Sequence, residues 1–236
     1  MKRLLRALTV LGFPAALALP VSAPAQDSGW TVTVFHADYT IHPDAYACVS
    51  ERIAVDFDGL ERHGIYRSIP VRGSFRVFAV TDGEGNPIPY EVSGTAEKSI
   101  KIGDPDRTVT GEHVYVIDYA VQDAVRFVRR FDQMIRQVTG TRWPVPIEHA
   151  SAIVRLEPQL AGALADSLPW VAECYAGGPE SGSEAACAGQ VVSPGIWRFE
   201  TLHPLAPGEG LTVIAQWPKG AVSYVGTPSE GPCGPA

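Results

Sequence analysis

Through most of this chain apolar and polar residues alternate with a period of two, in short runs broken by turn-forming clusters, and that pattern admits few folds. Trp30, Val32 and Val34 share one face, after which the apolar phase moves to Phe35, Ala37, Tyr39 and Ile41. A slip of one residue flips every side chain to the other face, so a bulge is expected near Val34 and Phe35. His42-Pro43-Asp44 reads as a turn. The next strand sets Val49, Ile53, Val55 and Phe57 on one face and Tyr46, Cys48, Ser50 and Arg52 on the other. Further strands are expected at residues 75–81, 88–92, 113–121, 151–157, 171–175, 196–201 and 211–217. So many short strands predict an all-β, antiparallel β-sandwich, Ig-like or related, with one or two short helices. The helices are expected at residues 122–138 and 158–167. In the first, Ala124, Phe127, Val128, Phe131, Met134, Ile135 and Val138 recur at helical spacing.

The N-terminus sets the compartment. Lys2, Arg3 and Arg6 precede an apolar run from Ala7 to Leu19, which ends in Ala23-Pro24-Ala25. These are the parts of a secretory signal peptide, with cleavage expected after Ala25. The apolar run is too short, and too interrupted by Pro14, to cross a bilayer core of about 30 Å. No later stretch reaches 18 unbroken apolar residues, so no span is expected in the mature chain. The expected organisation is a signal peptide at 1–25, a β-sandwich at 26–218 with a possible break into two lobes near 140–150, and a Gly- and Pro-rich tail at 219–236. Location is expected to be exported, either periplasmic or extracellular.

Charge narrows the partners. The net charge of -7 becomes -10 once three basic and no acidic residues leave with the signal peptide. That balance argues against nucleic acid, which requires a basic footprint, and against anionic surfaces unless a local patch overrides the mean field. Arg126, Arg129, Arg130 and Arg136 form the one basic concentration. On a helix they would be either a solvated face laced to Asp123 and Asp132, the preferred reading, or a surface for phosphate groups or an acidic partner.

Four cysteines, Cys48, Cys174, Cys187 and Cys233, read as two disulfides in an oxidising compartment. Cys174 with Cys187 is the preferred pair, because they flank one Gly- and Ser-rich loop. Elimination then leaves Cys48 with Cys233. There is no Cys-x-x-Cys pair and no His is expected near any Cys, so neither a metal nor a cofactor is predicted.

No nucleophile elbow and no paired-His zinc motif occurs. Asp82, Glu84 and Asn86 alternate like the start of a calcium loop, but Pro87 takes the place of the required glycine, so a hairpin turn is preferred. Asp104 and Asp106 are candidates to bind a cation or to accept from Arg107, against an ordinary capped turn. Glu51 sits in phase with the inward Val49 and Ile53. A carboxylate there must be turned outward by a bulge, neutralised by an arginine, or perturbed for function. The first two readings are preferred.

Three stretches go beyond generic strand patterning. They are His63-Gly64-Ile65-Tyr66-Arg67-Ser68-Ile69-Pro70, Ile102-Gly103-Asp104-Pro105-Asp106-Arg107-Thr108-Val109-Thr110-Gly111 and Val138-Thr139-Gly140-Thr141-Arg142-Trp143-Pro144-Val145-Pro146-Ile147. In this order and spacing they resemble the YciQ-like family of predicted bacterial membrane proteins, a domain-of-unknown-function family. The likeness runs from about Val32 to Gly220. It implies an extracytoplasmic β-rich domain normally followed by transmembrane helices, with no catalytic residues to carry over. Two departures stand out. The chain ends soon after Pro218-Lys219-Gly220, as a free-standing or truncated version would. Where members tend to carry an Asp-Glu-Leu-Tyr-Trp-like stretch, Asp132-Gln133-Met134-Ile135-Arg136 stands here, so any site that stretch forms is altered.

Gly64, Gly103, Gly111 and Gly140 are expected to take positive φ at turns. Tyr66 and Arg67 are candidates to line a groove with Trp143 and Glu148. The expected function is an exported cell-envelope binding or scaffold module for an unidentified envelope protein or polymer, including the possibility of docking on a separate membrane protein. The alternative is a periplasmic hydrolase acting on cell-wall polymers.

Overall fold

The computed structural model describes residues 29–223, apart from 123, 165, 179–182, 184 and 185, together with Cys233. The expected signal peptide, and most of the expected tail, lie outside the described residues. Among the described residues there are fourteen strands and one short helix. Seven strands make the largest sheet, in the order β12 (Cys187–Ser193), β13 (Ile196–Thr201), β10 (Ile147–Leu156), β1 (Thr31–Ile41), β2 (Ala47–Asp56), β7 (Glu112–Val121) and β4 (Phe75–Asp82). A second sheet runs β11 (Val171–Gly177), β14 (Gly210–Pro218), β9 (Phe131–Gln137) and β8 (Val125–Phe127). A third runs β3 (Ile65–Pro70), β6 (Glu97–Ile102) and β5 (Tyr90–Ser93). Among the described residues all pairings are antiparallel except β1 with β10. The fold is an all-β, antiparallel-rich sandwich, and the inner faces of its sheets share one apolar core.

Alternation accounts for the strands. In β1 the buried residues are Val32 and then Phe35, Ala37, Tyr39 and Ile41, with the register slipping between Val32 and Val34 against β2. The expected bulge thus sits one to two residues earlier than the phase change suggests. Buried Trp197 packs against buried Trp217 with their rings tilted and 5.8 Å between centroids, joining the large sheet to the second one.

The expected helix at 122–138 is not formed. That segment is the hairpin β8–β9, turning through Arg129 and Arg130, with Val128 N–H donating to Phe131 O at 3.0 Å. Two influences outweigh the helical spacing. Val125, Phe127, Val128, Phe131 and Ile135 favour extended backbone. β14 also offers a full apolar partner, pairing Val213 with Arg136, Ala215 with Met134 and Trp217 with Asp132. On the strand the inward positions are Asp132, Met134 and Arg136, and Phe127, opposite Asp132 at the edge of the sheet, is exposed with Lys219 over its ring. The one helix, α1 (Pro158–Ala163), stops four residues short of the expected end at Ser167. No helix among the described residues is long and apolar enough to cross a membrane.

Candidate functional site

The site is built on two charged residues that point into the core from different sheets. Glu51 on β2 lies between inward Val49 and Ile53, and is fully buried. Arg67 on β3 lies between inward Ile65 and Ile69, and is 1% exposed. Arg67 Nε donates to Glu51 Oε2 at 2.7 Å, and Nη2 to Glu51 Oε1 at 2.8 Å. The remaining donors reach backbone carbonyls: Nη2 to Val138 O at 2.6 Å, and Nη1 to Ser68 O and Thr139 O, each at 2.7 Å. Every N–H of the guanidinium is therefore satisfied, the condition a buried charge must meet. Tyr119 on β7 adds its hydroxyl to Glu51 Oε1 at 2.8 Å. Burial is the largest single influence and works against the Arg67 charge, but the attraction and hydrogen bonding of Glu51, with smaller contributions from Tyr119 and Tyr39, together outweigh it and hold the guanidinium protonated. One side chain thus ties together the third sheet, the large sheet and the exit of β9.

That exit carries the second half of the site. Thr139 O accepts from Arg67 and also from Trp143 Nε1 at 2.8 Å. Trp143 is buried, with Trp30 and Phe35 packed at 6.4 Å and 6.1 Å between ring centroids. Arg142 makes a two-pronged ion pair with Glu97 on β6, at 3.2 Å and 2.9 Å. Gly64 and Gly103 face each other across the start of β3 and the end of β6. A Cβ on Gly64 would lie 1.9 Å from Ile102 O, and one on Gly103 would lie 1.7 Å from His63 O. Both have φ in the left-handed half of the map, at +132° and +128°. Only glycine fits this approach.

Together these segments enclose a cleft of about 510 Å³. Exposed Tyr66 and the buried rings of Trp30, Phe57 and Trp143 supply its aromatic lining, and Arg62, His63, Lys101 and Arg142 a polar, mainly basic one with Glu61. Tyr66 is 65% exposed, the side chain that most offers itself to a partner here. Alternation explains the contrast with its neighbour: Tyr66 faces the cleft and Arg67 the core.

The expected groove therefore needs correcting at two residues. Tyr66 and Trp143 do meet in one cleft, but Arg67 is sealed behind it and Glu148, exposed at the start of β10, lies outside its lining. Asp104 forms a local turn, its Oδ1 accepting from Asp106 N–H at 2.9 Å, and Arg107 N–H donates to Asp104 O at 3.3 Å. His63 Nδ1 reaches Asp104 O at 3.3 Å and Arg107 O at 3.1 Å, which fixes this turn beside the cleft. Asp82 likewise caps its own turn, accepting from the N–H groups of Glu84 and Asn86 at 2.9 Å each.

The disulfides join Cys48 to Cys233 and Cys174 to Cys187. Contrary to expectation a histidine does stand beside a cysteine, with His42 Nε2 at 2.9 Å from Cys48 Sγ and His42 Nδ1 paired with Glu157. His42, Cys48 and Cys233 lie within metal-binding reach of one another. With the two sulfurs bonded together, however, no thiolate remains for an ion. The signal for the Arg67–Glu51 pair was present in the chain: both residues interrupt an inward apolar register, and each answers the other.

Residues 31–217 match the family model described as the N-terminal domain of a predicted membrane protein, DUF2207, and the chain belongs to that family. It is 24% identical to the uncharacterized protein YciQ of Escherichia coli (strain K12), over 87% of this chain and 32% of that protein, so it spans about a third of that relative's length. Among solved structures it is similar to an M1 zinc metallopeptidase from Deinococcus radiodurans, with TM-score 0.43 and 13% identity over 78% of this chain and 42% of that one. It is also similar to native leukotriene A4 hydrolase from Saccharomyces cerevisiae, with TM-score 0.47 and 9% identity over 80% of this chain and 29% of that one.

Proposed function

We propose that this DUF2207 domain is an exported binding module of the bacterial cell envelope, and that it engages an envelope protein or polymer through the Tyr66–Trp143 cleft. The observation that carries the reading is the exposed Tyr66 ring beside an aromatic surface whose Trp143 is locked by hydrogen bonding and packing. A rigid aromatic anchor with a charged rim is the composition of an interaction hot spot, since little conformational freedom is lost on binding. Two disulfides support an oxidising, extracytoplasmic setting. Glu51, the carboxylate most suited by burial to acid–base work, has both oxygens engaged by Arg67 and one by Tyr119, which favours binding over hydrolysis. Docking on a separate membrane protein is one form this function takes.

The test is chemical crosslinking and capture of the purified protein from envelope extract, beside Tyr66→Ala. Recovery of a partner by wild type and its loss from the folded variant is the expected result. Equal recovery by both proteins, or no partner with either, overturns the reading.

A further inference from the structure

A second cleft, of about 650 Å³, opens where the three sheets meet, and its lining includes Arg72, Arg126 and Arg136 but, among the described residues, no Asp or Glu. In a chain of net charge -7 that is a local reversal of sign. The three arginines reach it from separate places: Arg72 from the segment after β3, Arg126 from β8 and Arg136 from β9. Arg72 and Arg126 are exposed at its rim, whereas Arg136 is half-buried and shares the inward face of β9 with Met134. None of the three has a carboxylate partner among the described residues.

Arg136 is the informative one. Its Nη2 is buried and has no hydrogen-bond partner. A desolvated charged donor left in that state is costly, and the contrast with Arg67, all of whose donors are used, is sharp. Tyr39 lines the same cleft, and its phenol is held above its usual range by burial first and by Glu51 second, with Arg136 and Arg67 pulling the other way. The positive field of Arg136 therefore reaches the cleft floor.

We infer that this cleft is a binding site for a phosphate-ester anion, with Arg136 as its deep ligand and Arg72 and Arg126 as its rim. A phosphate monoester offers three terminal oxygens and a diester two, in separate directions, which suits arginines that reach one cleft from three segments of the chain. The cleft is larger than a phosphate group alone, so the rest of the molecule has room beside Ile69, Val71 and Val125. The site stands apart from the Tyr66–Trp143 cleft and does not depend on the function proposed for it.

The experiment is calorimetric titration of the purified protein with glycerol 3-phosphate, with phosphatidylglycerol vesicles and with succinate, on wild type, Arg136→Gln and Arg130→Gln. Saturable binding of glycerol 3-phosphate or of the vesicles is expected, and whichever binds identifies a free ester or a lipid headgroup as the source. Arg136→Gln weakens it at least about tenfold, as loss of a charge-assisted contact predicts, while Arg130→Gln, outside the cleft, leaves it unchanged. Should Arg136→Gln fail to fold, Arg72→Gln/Arg126→Gln, both at exposed positions, decides in its place with the same expected loss. Binding of neither phosphate probe, binding of succinate alone, or undiminished binding by the folded cleft variant overturns the inference.

Discussion

Arg67 and Trp143, 76 positions apart in the chain, donate to the same oxygen: Thr139 O accepts from Arg67 Nη1 at 2.7 Å and from Trp143 Nε1 at 2.8 Å. The buried ion pair and the aromatic cleft are therefore one construction. The charge that ties the sheets together also fixes the ring that the cleft presents.

Arg67→Leu leaves Glu51 buried without its cation and removes the donors to Val138 and Thr139. Stability should fall by about 3–5 kcal/mol, the cost of breaking a buried pair. Replacing both partners, as Glu51→Leu/Arg67→Met, should recover most of that loss. Urea denaturation of the single and double variants checks both statements. A loss below about 1 kcal/mol for the single variant would show the pair to be solvated in solution.

Gly64→Ala and Gly103→Ala each drive a methyl into a backbone carbonyl less than 2 Å away. Neither carbonyl yields without separating β3 from β6. Both variants should lose cooperative unfolding or fall by several kcal/mol. Gly85→Ala, with φ +91° but open space around its Cβ, should lose only about 1 kcal/mol.

The two disulfides differ in the chain they close, with sequence separations of 185 for Cys48–Cys233 and 13 for Cys174–Cys187. Chain entropy predicts losses of about 5 and about 3 kcal/mol on replacing each pair by serines. Thermal unfolding of the two double variants should rank them in that order.

Asp38 is bridged by His36 and Arg155, and the hydrogen bond from His36 is the main cause that holds its carboxyl below the usual range. A depressed folded value means the unfolded chain takes up the proton first. The contribution is therefore complete above the unfolded pKa of about 3.9, and is lost as pH falls through the folded value. Asp38→Asn should flatten the acid limb of the stability profile. The effect should stay below about 1 kcal/mol, because the groups are partly exposed.

Much of this fold was legible because a sheet with one buried face leaves a period-two record. The strands around Phe35, Ile53 and Val213 and the inward turn of Glu51 are all visible in it. The hairpin from Val125 to Gln137 was not, since its apolar spacing fits a helix and what decides the matter is the edge of β14, distant in sequence. The candidate groove was half legible for a simpler reason. Tyr66 and Arg67 are neighbours in the sequence, yet adjacent residues on a strand face opposite sides, and Ile65 and Ile69 mark which side Arg67 takes. The inward Arg136 stayed hidden behind the same helical reading.

The central claim, that the Tyr66–Trp143 cleft is where a partner sits, is tested most directly by photocrosslinking in living cells. A benzophenone amino acid would replace Tyr66 in one version, and Val192, exposed on β12, in another. The account predicts a discrete adduct from position 66 and none from position 192. Adducts from neither position, or the same adducts from both, would contradict it.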